Sequence, residues 1–164
     1  MISAFMRPEG PTQDEADKLV KKRKYIRKWP IMIEGEREYR MIATVFRRSL
    51  PNRPCGLTIK AHVKKAPSGV PRSLPSCVLE LAGRFRIRGI DYAVVHSCPS
   101  GPIVYGWHEH TWTNRYEDRV VLRATPRITD QSIAGVFAWG LKKWNIDLGE
   151  PVIKKKAKRH GSAA

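Results

Sequence analysis

Residues 104–112 read V-Y-G-W-H-E-H-T-W, with His108 and His110 two positions apart between two tryptophans, and a third histidine, His96, stands upstream. Imidazole titrates ordinarily near neutrality, so such a group can serve several chemistries. An H-x-H on one strand plus a histidine from a neighbouring loop can set three nitrogens around Zn²⁺ or Mn²⁺ and leave one position open for water. Asp91 or Asp118 would then act as a supporting partner or a carboxylate ligand. The same His96, His108 and His110 can also work without a metal on RNA. One imidazole takes the 2′-hydroxyl proton and another protonates the leaving oxygen. Arg88 or Arg115 would stabilise the phosphorane, with Tyr116 assisting by a hydrogen bond. A third use is binding alone: Trp107, Trp112, Tyr105 and Tyr116 offer ring faces on which unpaired bases stack. The plain alternative is packing, in which the histidines satisfy backbone groups in a core. The spacing of a cupin metal site is missing, and no C-x-x-C accompanies the H-E pair as it does in zinc deaminases. No cofactor is therefore required; zinc or manganese is the metal alternative.

Charge narrows the field. Thirty-one Lys and Arg against fifteen Asp and Glu give +16 over 164 residues. The tail Lys154, Lys155, Lys156, Lys158 and Arg159 carries five of these charges, which leaves +11 on residues 1–153. A field of that sign draws phosphate backbones, because neutralising phosphates releases condensed counterions. No run approaches the ~20 apolar residues of a membrane span, and the opening M-I-S-A-F-M-R-P-E-G lacks the pattern of a secretory signal. Cys55, Cys77 and Cys98 are odd in number and without C-x-x-C spacing. They read as reduced thiols of a cytoplasmic protein with no membrane partner.

The elements that must position these residues follow from periodicity. Thr12-Gln13-Asp14-Glu15 has the form of a capping box; the helix it opens is expected to run through Ala16, Leu19 and Val20 toward Ile26, ending at Pro30. Tyr39–Phe46 and Gly56–Val63 read as strands separated by a turn at S-L-P-N-R-P-C-G. Residues 64–76 form a proline-rich loop. In R-F-R-I-R the period is two, so Phe85 and Ile87 point one way and Arg84, Arg86 and Arg88 the other. Three guanidinium groups on one face would lie along a phosphate backbone, unless carboxylates such as Glu80 or Asp91 match them. Residues 104–112 alternate as well, which puts His108 and His110 on one face roughly 7 Å apart. Arg119–Thr125 suits another strand, and Thr129 or Asp130 caps a closing helix with Ile133, Val136, Phe137, Leu141 and Trp144 on its buried stripe. The expected fold is α+β, a mostly antiparallel sheet with one helix near each end of the chain. Residues 1–10 form a flexible N-terminus, 11–151 a single domain, and 152–164 a flexible basic tail.

The order of these motifs resembles a bacterial domain-of-unknown-function family associated with mobile elements. Members open with T-Q-E-E-A-D, where this chain has Pro11 to Asp17, P-T-Q-D-E-A-D. Their later motifs P-H-R-N-P-D-G, P-H-x-H and Y-x-x-G-Y-x-D correspond to I-D-Y-A-V-V-H-S-C-P-S-G, G-W-H-E-H and T-N-R-Y-E-D. The closing helix corresponds to F-A-W-G-L-K-K-W-N-I. His96, Pro99, Gly101, His108, His110, Tyr116 and Asp118 match the pattern, whereas Cys98 and Ser100 replace its Asn and Asp. The spaced histidines are similar, more distantly, to small toxins of nucleotidyltransferase-paired toxin–antitoxin systems. That likeness implies a toxin-like protein with a cognate antitoxin.

The expectation that joins these readings is a basic nucleic-acid-binding protein of a mobile element or phage, with RNA favoured over DNA. Arg84, Arg86, Arg88, Arg115, Trp107, Trp112 and the lysine tail would grip the nucleic acid. His96, His108, His110 and Tyr116 stand as candidate catalytic groups. A ribonuclease with or without a metal is the first alternative. An inhibitor or accessory factor that binds a host or defence nucleoprotein complex is the second.

Overall fold

A computed structural model describes residues 10–50, 53–98, 103–113, 117–121 and 126–150. The capping box forms: Thr12 Oγ1 accepts from the Glu15 amide, and the Thr12 amide donates to Glu15 Oε2. Helix α1 covers Gln13–Lys21 and buries Ala16 and Val20. It ends well before Ile26, because Lys24–Ile26 is strand β1, buried at all three positions. The Lys24 ammonium turns back to donate to the carbonyls of Leu19, Val20 and Lys22. It thereby satisfies groups that any helix end leaves open. Burial pulls its pKa down from 10.5 to about 8.

Strands β2 (Ile33–Glu34), β3 (Glu38–Arg47), β4 (Pro54–Lys64), β5 (Ser76–Leu81), β6 (Phe85–Ser97), β7 (Ile103–Thr113) and β8 (Glu117–Val121) follow. Helix α2 (Ile133–Lys143) and strand β9 (Ile146–Leu148) close the described chain. Along the sheet the order is β8-β7-β6-β5-β4-β3-β1-β9, with β2 paired to β3. Every pairing is antiparallel except β1 with β9, which α2 separates in sequence. The α+β architecture expected from the periodicities is thus present, with a helix near each end. Of the strand expected over 119–125, the part to Val121 is seen in β8, and 122–125 lie outside the described residues. The cap of α2 is Ser132, not Thr129 or Asp130: its Oγ accepts from the Gly135 amide, while Asp130 accepts from the amide of Ser132.

Both helices pack on one face. On β4 the odd-numbered residues Leu57, Ile59, Ala61 and Val63 are buried, and Thr58, Lys60 and His62 are only half-buried. Residues paired across an antiparallel ladder share a face, so the register carries these two faces across the sheet. Cys77, Leu79, Ile90 and Glu109 fall on the helix side; Val78, Asp91, His108 and His110 fall on the other. Trp144, Phe137 and Val136, all without exposed surface, centre the core under α2.

The β5–β6 hairpin turns at Ala82 and Gly83, both with positive φ, and the Arg84 amide donates to the Leu81 carbonyl. Arg84 therefore lies in the turn, not on the strand. A bulge follows, since Glu80 faces Arg86 but Leu79 faces Arg88, and Ile87 is the extra residue. One inserted residue inverts the alternation beyond it.

Candidate functional site

That bulge dismantles the expected arginine row. Arg86 stays on the helix-free face and pairs with Asp91. Arg88 is flipped to the helix side, where it is buried and pairs with Asp17 of α1 at 2.6 Å. Arg84 lies over the Phe85 ring, 4.9 Å from its centroid. Arg86 and Arg88 are thus matched to carboxylates, and the three guanidinium groups do not share a face. The tryptophans are also corrected. Trp112 packs edge-on against Phe85 and donates to the Pro11 carbonyl, and Trp107 packs on Tyr92; both belong to the core. Buried rings offer no stacking face to a base. Tyr105, by contrast, is exposed.

His108 and His110 do share the helix-free face, as alternate residues of β7 must. Gly89 faces His110 and Asp91 faces His108 across the β6–β7 ladder. The imidazole centroids are 4.8 Å apart, and His110 Nε2 is 3.3 Å from Asp91 Oδ2. His108 Nδ1 lies 2.9 Å from the Gly106 carbonyl oxygen. A carbonyl only accepts, so Nδ1 carries a proton. Burial by itself would push the Asp91 carboxyl up. The hydrogen bond from His110 and the Arg86 guanidinium outweigh it and hold the group well below the usual carboxylate range. Asp91 is the constant anion of the cluster.

Asp91, His108 and His110 line a cleft of about 560 Å³ together with His62, Lys64, Ser76, Arg86 and Tyr92. Its far wall comes from β4, where Lys60, His62 and Lys64 alternate onto the helix-free face beside Arg40 of β3. The Ser76 hydroxyl lies 3.1 Å from His62 Nε2. Burial first, then the Lys60 charge, lowers the His62 pKa, so this ring is neutral at physiological pH. The T-I-K-A-H-V-K run already showed the signal for this wall, a basic residue at every second position of a strand.

Glu109, the middle residue of H-E-H, takes no part. It is buried on the helix side, accepts from Trp144 Nε1 at 3.0 Å and lies 3.8 Å from Lys143 Nζ. The backbone of His96 pairs with Val104, four positions along β7 from His108 and so ~13 Å away by strand rise. Asp91, not His96, is brought opposite the pair. The side chains of His96 and Asp118 lie outside the described residues, as do Arg115, Tyr116, Lys154, Lys155, Lys156, Lys158 and Arg159.

The fold and site define an α+β protein whose sheet is covered by helices on one face and carries a His/Asp-lined cleft on the other. Comparison with protein-family models, curated proteins and solved structures finds no match to this chain.

Proposed function

We propose that this chain is a cytoplasmic RNA-binding protein that receives a single-stranded phosphate backbone in the cleft on its helix-free face. The observation that carries this reading is the composition of the helix-free face: His62 and Lys64 of β4 line one trough with Arg86, His108 and His110, and Lys60 lies on the same face of β4 beside them. In a chain of +16, that trough is where a polyanion meets cations and imidazole donors together. RNA is preferred to duplex DNA because a single strand can lie along the open sheet face with its backbone over the cations of β4.

The test is a gel shift with single-stranded RNA over a salt series. Wild-type affinity should fall steeply with salt, and the Lys60→Gln/Lys64→Gln pair should flatten the log–log slope by about 1–2. A slope that the pair leaves unchanged would place the binding elsewhere.

A further inference from the structure

We infer that Asp91, His108 and His110 form a binding site for a divalent transition-metal ion of the zinc class. Their donor atoms all lie within 4.8 Å of one another, two of the three residues are buried, and the trio opens onto the cleft. The inference deepens the proposed function by adding chemistry to the same cleft, but occupancy by metal does not depend on RNA.

Three features argue for it beyond proximity. First, two donors held at ~2.0–2.2 Å from a tetrahedral ion sit about 3.3–3.5 Å apart, and His110 Nε2 lies 3.3 Å from Asp91 Oδ2. In the metal-free site a proton occupies that gap; the ion takes its place and the proton leaves to solvent. Second, His108 gives Nδ1–H to the Gly106 carbonyl, the bond that commonly orients a metal-binding imidazole, so Nε2 is the nitrogen that would ligate. Third, Asp91 is fixed by the Arg86 guanidinium, as ligating carboxylates are fixed by hydrogen bonds from an outer shell.

Two imidazoles and one carboxylate leave positions open toward the cleft. There an ion polarises a phosphoryl oxygen or lowers the pKa of a bound water, which supplies hydrolytic chemistry on a phosphodiester. The water's oxygen would form the new bond to phosphorus as the bond to the ester oxygen breaks; neutral His62 across the cleft would accept the water's proton, and the ester oxygen would leave with a proton from solvent.

The full-length protein, stripped with a chelator and dialysed, is titrated with zinc by calorimetry and with Co²⁺ by visible absorption. We expect one ion per chain and the ligand-field bands of nitrogen and oxygen donors. His110→Ala and Asp91→Asn should each weaken zinc binding at least tenfold, and Asp147→Asn, at the opposite end of the sheet, should not. The Co²⁺ spectrum is read on wild-type protein, so a variant that fails to fold does not spoil the test. Absence of zinc uptake by wild type overturns the inference, as does equal uptake by folded His110→Ala. Zinc binding without RNA binding would instead contradict the proposed function alone, and RNA binding without zinc would leave only that function standing.

Discussion

Asp91 shows how a sequence can offer two side chains for one role, here Asp91 or Asp118 beside the histidines, and leave the choice to the fold. The alternation of residues 104–112 is enough to put His108 and His110 on one strand face, and the structure keeps them there. Their carboxylate partner depends on the β6–β7 register, a long-range pairing that no local period encodes. His96 is the nearer guess because it is a third imidazole, yet the ladder sets it four positions away. Lys24 presents the opposite case, a cation that falls within the helix expected from the sequence and is in fact buried on β1 and bound to three carbonyls. Its folded pKa of about 8 lies below the unfolded 10.5. Between those values the unfolded chain holds a proton that the folded chain has released, so stability rises with pH across the window. Relative to Lys24→Met, which has no amine to titrate, wild type should gain roughly 1–3 kcal/mol between pH 7.5 and 10 in urea melts. A difference that stays flat with pH would mean that the ammonium is not desolvated.

At the scale of elements, the strands of long alternation were legible and the short ones were not. Glu38–Arg47 and Pro54–Lys64 lie within two residues of the expected bounds. K-K-R-K-Y-I-R-K reads equally as the end of a helix, and long-range pairing with β3 on one side and β9 on the other makes Lys24–Ile26 a strand. Tertiary pairing overrides local propensity in so short a piece. The arginine row failed for a different reason: a single bulged residue at Ile87 reverses the faces after it, and bulges leave little trace in a periodic pattern. The turn feeding that bulge carries a cost that can be measured. Ala82 adopts φ 54, a conformation that L-residues with a Cβ pay for and glycine does not. Ala82→Gly should raise stability by about 1 kcal/mol in thermal or urea unfolding. A loss of stability would show that the turn does not hold this conformation in solution.

Considered as a whole molecule, the chain separates its two sheet faces by task. Helices, tryptophans and the ion pair Arg88–Asp17 build the covered face. The other face carries the cleft, the imidazoles and the lysines of β4. Among the described residues no helix is long and apolar enough to cross a membrane. The net charge is legible in the sequence, but its location is not, because pairing in three dimensions decides which cations remain presented. The central claim is that the helix-free face receives RNA, and the most direct measurement is an amide chemical-shift titration of the ¹⁵N-labelled protein with a short single-stranded RNA. Shifts should concentrate at Lys60–Lys64, Asp91 and His108–His110 and spare Ile133–Lys143; shifts gathered on that helix, or none at saturating RNA, would contradict the account.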